Sequence, residues 1–407
     1  MLNQVVQPTQ GSQRITSLDL LRGFAILGIL VLNIQSFAMP GAAYLNPMAY
    51  GDMNGINKWV WMLSHIFGDQ KFMTIFSILF GAGIVLITQK AEAKTGRSMA
   101  LHFRRTFWLL IIGLIHAHLI WSGDILVPYA LCALIVYFFR NLAPRTLIVI
   151  GILIISIHTF IYVGIGSSIP QWTPENKLEV LATWQPLAAD IQEEIEAYTG
   201  SIGQQFEKRS ESALMMETSI FMMIFLWRAG GLMLVGMGLF KLGILSAHKS
   251  NSYYRRSWLI SWSLGLPLVI WGVYKNFEAE WLFEYSMFLG SQWNYWGSLL
   301  VSYGFISLIM LWAKSSRFQT LKERLSAVGQ MALTNYLLQS IICTFLFYGF
   351  GLGLFGTVDR WGQILIVFGV WIVQILWSKP WLNTFFFGPF EWIWRSLSYR
   401  KLQPFRR

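Results

Sequence analysis

The chain has 407 residues, of which 55% are hydrophobic, 16% aromatic and only 13% charged, and its mean hydropathy is +0.50. That much apolar surface excludes an ordinary soluble domain, and apolar runs near 20 residues recur along the chain, as polytopic helical membrane proteins require. The net charge of +11 then reflects Lys and Arg retained on the cytoplasmic face rather than nucleic-acid binding.

The first 16 residues are polar and lead into SLDLLRGFAILGILVLN, which reads as a retained first span rather than a removed signal peptide. Inside it Asp19, Arg22 and Asn33 share one stripe at about 100° per residue, spread over roughly 20 Å of helix axis. Ionisable groups in hydrocarbon are costly and read as functional by default. The plainer alternative is an Asp19–Arg22 pair that anchors the helix end.

The predicted spans are 17–38, 72–89, 105–121, 125–140, 145–165, 218–240, 257–276, 293–313, 328–350 and 361–379. They predict an all-α polytopic bundle of about ten transmembrane helices. The segment WLNTFFFGPFEWIWRSLSYRKL after the last span is too short and interrupted to cross, and suits an interfacial helix. Segments 1–16, 90–105, 140–145, 241–256, 314–327 and 379–407 carry 22 of the 31 Lys and Arg residues, against seven in the opposite segments. This places both termini in the cytoplasm.

Residues 1–165 form a five-helix half with the main polar motifs, and 218–407 the second half with the interfacial segment. Between them, 166–217 holds nine of the 20 acidic residues. Around Asp190, Glu193, Glu194 and Glu196, the residues Ile191, Ile195 and Tyr198 keep helical spacing, which predicts a short amphipathic helix over the outer mouth. A solvated acidic loop is the alternative. The cysteines Cys132 and Cys343 both fall in apolar spans, with no disulfide or metal-ligand spacing.

With this topology, polar residues divide by depth. Toward the outside lie Asn33, His65, Asp69, Lys71, His116, His118 and Asp124, the kinds of group that proton transfer needs within hydrogen-bond reach. Toward the inside lie Asp19, Arg22, Arg104 and Arg105, a set suited to a phosphate ligand through charge-assisted bonds, with Arg140, Lys379 and Arg395 as further cations. Ordinary positive-inside excess is the competing reading for Arg104 and Arg105. Arg228 lies deep in a span, Ser77, Gly81 and Gly83 permit close helix approach, and Asn335 and Gln339 suit either an interhelical ladder or substrate contact.

The motifs SLDLLRGFAILGILVLN, DQKFMTIFSILFGAG, GLIHAHLIWSGDIL, GQMALTNYLLQS and GPFEWIWRSLSY, in this order over nearly the whole chain, resemble the YeiB-like bacterial membrane family, domain-of-unknown-function family 418. That resemblance implies a bacterial cytoplasmic (inner) membrane protein. More distantly, the Asp-x-x-Arg-Gly opening that ends in Asn33 is similar to the first helix of heparan-α-glucosaminide N-acetyltransferase, of the transmembrane acyltransferase superfamily. It implies a functional Asn33 and a cytosolic acyl-coenzyme A co-substrate, with no covalently bound cofactor. The histidine expected shortly after that asparagine has no counterpart in IQSFAMPGAAYLNP, so His65 or His116 is the substitute.

The leading expectation is an acyltransferase with catalytic residues among Asn33, His65, Asp69, His116 and Asp124. Asp19, Arg22, Arg104 and Arg105 hold the donor, Lys71, Arg228, Asn335 and Gln339 line the substrate path, and no metal is expected. The partners are membrane lipids and a small-molecule, glycan or lipid acceptor, with a homodimer left open and no nucleic acid. The rival is a metabolite or lipid transporter with proton coupling at Asp69 or His116. A third reading is a non-catalytic lipid- or quinone-binding protein.

Overall fold

A computed structural model describes residues 14–96 and 98–407; most of the polar leader and Arg97 of the basic segment 90–105 lie outside the described residues. A chain in hydrocarbon must satisfy its backbone internally, so the apolar runs form helices. In order these are α1 (Thr16–Ala38), α2 (Gly55–Phe67), α3 (Lys71–Thr95), α4 (Ser98–Leu119), α5 (Leu126–Val136) and α6 (Pro144–Ser168). Next come α7 (Pro174–Trp184), α8 (Ala188–Thr199), α9 (Ile202–Met215), α10 (Leu226–Lys241), α11 (Asn251–Glu278) and α12 (Ser291–Lys314). The last are α13 (Gln319–Gln330), α14 (Ala332–Phe347), α15 (Arg360–Thr384) and α16 (Pro389–Tyr399).

Among the described residues eight helical segments are long and apolar enough to cross a membrane, or nine if α13 and α14 count as one span bent by 81°. The predicted span 328–350 therefore falls on the second arm of a broken helix. The predicted span 125–140 falls on the shorter helix Leu126–Phe139, about 21 Å long against a hydrocarbon core of about 30 Å. Helix α1 is central, with 72% of its apolar window buried, whereas the window containing α6 is only 17% buried and turns its side chains outward.

Two glycine contacts set how closely the central helices approach. A Cβ at Gly23 would lie 1.9 Å from the Leu325 carbonyl oxygen, and one at Gly329 1.9 Å from that of Asp19, which fixes α13 across the first turns of α1. Likewise a Cβ at Gly81 would meet the Met233 carbonyl at 1.9 Å, and one at Gly236 that of Ile78 at 2.0 Å, which locks α3 onto α10. Gly83, by contrast, faces open space. Gly81→Ala is expected to lower stability by roughly 3 kcal/mol or more through backbone overpacking, while Gly83→Ala changes it by less than about 1 kcal/mol. Thermal unfolding of the detergent-solubilised variants checks this.

The acidic segment 166–217 folds as α7, α8 and α9 rather than as a loop with one helix. The expected amphipathic helix is α8, and it is packed down: Tyr198 lies 4.9 Å from the Tyr348 ring and 4.7 Å from Phe355. Glu194 accepts the Gly41 N–H at 3.1 Å, and burial raises its pKa above the usual carboxylate range despite that bond. Helix α9 continues through a π-helical stretch, Met216–Phe225, into α10. At the opposite end, α16 is the predicted helix after the last span, and Glu391 fastens it to the start of α14. Glu391 accepts the Leu333 and Thr334 N–H groups at 2.6 and 3.1 Å and the Thr334 hydroxyl at 2.5 Å.

Candidate functional site

The turn between α2 and α3 builds the first polar centre. Gly68 and Asp69 donate their N–H groups to the Ser64 carbonyl, and Gln70 takes a left-handed conformation at φ 63°, which ends α2 and starts α3 within three residues. Asp69 is thereby turned back on His65, with Nδ1 to Oδ2 at 3.3 Å, and Trp61 stacks on the imidazole at 5.0 Å. The Lys71 ammonium donates to the His65 carbonyl at 2.8 Å and to Asn294 Oδ1 at 2.5 Å, and Asn294 Nδ2 donates to Asp69 at 2.8 Å. Asn294 thus relays between an ammonium and a carboxylate.

One turn along α3, Thr74 accepts from Arg228 at 3.1 Å. The same guanidinium donates to Ser298 Oγ at 2.7 Å and the Tyr295 carbonyl at 3.1 Å, and lies over the Tyr295 ring at 4.4 Å. Lys71 and Arg228 are 0% and 1% exposed, whereas the side chains of His65 and Asp69 keep 17% and 18% of their surface open. The carboxylate edge is therefore the approachable side of this network.

The second centre is a buried His116–Asp124 pair, Nδ1 to Oδ1 at 2.7 Å. Asp124 Oδ2 also accepts the Val127 N–H at 2.7 Å, capping the start of α5. An ionised carboxylate can only accept, so the Nδ1 proton is fixed there and Nε2 carries the lone pair. Nε2 is buried with no hydrogen-bond partner among the described residues. Tyr336 and Trp121 flank the imidazole at 5.1 and 6.2 Å, and Tyr336 OH accepts the Ile125 N–H.

Asn33 is half-buried and makes no hydrogen bond among the described residues. It lies one turn before Phe37, whose ring stacks on Trp121 at 4.0 Å. Residues four apart share a helix face, so Asn33 stands on the stripe of α1 that meets the His116 surroundings. The two centres are also joined: Tyr129 of α5 donates to the Met73 carbonyl at 3.1 Å and pairs with Ser77 Oγ at 2.8 Å, on the turns of α3 just past Lys71.

At the other end of the bundle Asp19 pairs with Arg22 at 2.8 Å and Arg14 at 3.3 Å. Arg105 lies over the Trp394 ring at 4.0 Å, and Arg104 is half-buried with an unpartnered Nε. Arg140 instead covers Tyr137, and Lys379 pairs with Glu323. Asn335 donates to the Val328 carbonyl and Ser378, and Gln339 to the Ile26 carbonyl and Gln374, so both side chains join helices to one another. Sequence reading missed Asn294 and Tyr336, and it set Glu217 three turns from Arg228 without its actual partner, His118 at 3.4 Å. A polar Asn in the apolar run of α12 was the available signal. Among the described residues no group of three or more His, Cys, Asp or Glu is arranged to hold a metal.

Fold and geometry together define a multi-pass helical membrane protein with a buried His116–Asp124 pair and a charged network at one end and several arginines at the other. The chain belongs to the YeiB-like DUF418 family. Residues 239–401 match the family model described as "Protein of unknown function (DUF418)". The chain is 32% identical over 400 residues to "Uncharacterized protein YeiB" of Escherichia coli (strain K12), spanning 96% of this chain and 98% of the relative. It is 31% identical over 417 residues to "Uncharacterized protein YxaH" of Bacillus subtilis (strain 168), spanning 98% of each.

Proposed function

We propose that the protein is a transmembrane acyltransferase, moving an acyl group from a cytosolic acyl-coenzyme A-like donor to an acceptor hydroxyl or amine outside the bacterial cytoplasmic membrane. The carrying observation is the His116–Asp124 pair, an imidazole held through Nδ1 by a carboxylate with Nε2 left without a partner. Such a histidine takes and returns a proton. The acceptor's O–H or N–H proton passes to Nε2 as the acceptor atom bonds to the thioester carbonyl carbon. Collapse then breaks the C–S bond, and the leaving thiolate takes the proton back.

Asn33 donates its amide N–H to the developing oxyanion. His65 and Asp69, at the open edge of the Lys71 network, orient the acceptor, with Arg228 behind them. Arg22, Arg104 and Arg105 hold the donor, and Asp19 orients Arg22. Arg105 and His116 are eleven residues apart on α4, which places them on one face about 16 Å apart along the axis. An extended thioester arm lying along α4 covers that distance. The Lys/Arg bias of the connecting segments supports cytoplasmic termini.

The purified protein is expected to bind an acyl-coenzyme A, and Arg22→Ala to weaken that binding about ten-fold through loss of one charge-assisted contact. Absence of binding, or binding indifferent to Arg22, argues against the reading. A transporter is the second reading, favoured by the buried Lys71–Asn294–Asp69 relay, which is suited to coupling a proton. It predicts counterflow of a solute in proteoliposomes without covalent turnover.

A further inference from the structure

The bundle end that carries α16 holds more positive charge than its own carboxylates answer. Asp19 is shared between Arg14 and Arg22. Glu391 gives both oxygens to the first turn of α14. Neither Arg105 nor Arg395 forms an ion pair among the described residues. Burial pushes the Arg395 pKa down to about 10, and the charges of Arg105 and Arg14 add to that fall while Tyr399 and Glu391 oppose it. Its Nε is buried without a partner and its guanidinium lies over the Phe387 ring at 4.6 Å.

Helix α16 is fixed in this position by Glu391 and Trp394. Glu391 ties it to α14, Trp394 Nε1 donates to the Arg105 carbonyl at 2.9 Å, and the Trp394 ring lies under the Arg105 guanidinium. Tyr399, at the end of the same helix, lies beside Arg105. Arg105 and Arg395 thus meet where α16 packs on α4 with no ion pair of their own among the described residues, Arg395 keeps an unpartnered Nε, and Arg14, held by Asp19, adds a third positive charge nearby. Guanidinium donors in such excess suit an anion with several oxygens.

We propose that Arg14, Arg105 and Arg395 form a phosphate-binding site that the C-terminal helix closes. The site takes a phosphate monoester or diphosphate, carried either by a soluble ligand or by an anionic lipid headgroup. Its assignment to the acyl donor rests on the acyltransferase reading; the anion site itself rests on the geometry of α1, α4 and α16.

The test uses the full chain in nanodiscs of neutral phosphatidylcholine, titrated with coenzyme A and with inorganic pyrophosphate. Arg395→Gln is expected to weaken both at least about ten-fold, Arg395→Lys to weaken them less, and Arg256→Gln, exposed on α11, to leave them unchanged. The thermal midpoint of each variant checks that it remains folded. If neither probe binds, but phosphatidylglycerol raises the midpoint of the parent protein and not of Arg395→Gln, the phosphate is a lipid's. Binding and lipid response both unaffected by Arg395→Gln overturn the site. Acyl transfer with an unchanged KM for the donor in Arg395→Gln overturns this inference and leaves the acyltransferase reading standing. Arg395-dependent pyrophosphate binding without any acyl transfer does the reverse.

Discussion

Replacing His116 with alanine is expected to reduce acyl transfer by about 10³-fold, within the range that general acid–base catalysis contributes. The effect belongs to kcat, because Nε2 acts on the proton in flight and not on donor binding. Asp124→Asn is expected to follow with a comparable loss for a different reason. Its amide still offers an oxygen to the Val127 N–H, so α5 keeps its cap. It no longer enforces the tautomer that leaves Nε2 free to accept. Release of free thiol from acetyl-coenzyme A measures both variants, with donor affinity as the control that should not move. A His116→Ala protein that turns over at the parent rate removes His116 from the chemistry.

Asn294→Ala is expected to destabilise the protein by about 3 kcal/mol, because a buried charged group that loses a hydrogen-bond partner recovers less of its desolvation cost. The substitution removes one of the two acceptors of the Lys71 ammonium, leaving the His65 carbonyl, and the Asn294 donor to Asp69 in one step. Lys71→Met in the Asn294→Ala background is expected to restore at least about 1 kcal/mol, since it removes a buried cation that has lost one of its two acceptors. A double-mutant cycle by thermal unfolding in detergent reads the coupling. Strict additivity would mean that Lys71 and Asn294 do not depend on one another.

The segregation of polar groups was legible because it rests on local spacing. His65 and Asp69 are four residues apart on either side of a helix end, and Asp19 and Arg22 are three apart within one helix. The long apolar runs located the spanning helices for the same reason. What joins these groups was not legible. Asn294 reaches Lys71 across 223 positions, and Tyr336 meets the start of α5 across 211, contacts that periodicity within one helix does not encode. The 81° bend between α13 and α14 was equally hidden. Its causes are the glycine contact of Gly329 with α1 and the cap that Glu391 supplies from a remote helix. Asn335 and Gln339 read equally well as packing or as substrate contacts until their amides were seen bound to neighbouring helices.

The central claim is that the two polar ends serve one covalent transfer and not the passage of a solute. The most direct test places the protein in proteoliposomes of bacterial membrane lipid extract and supplies acetyl-coenzyme A labelled in its acetyl group on one side only. The account predicts His116-dependent release of free thiol, with label appearing on an acceptor while coenzyme A stays on its own side. Solute or label crossing unchanged, with no thiol released and no effect of His116→Ala, would contradict it.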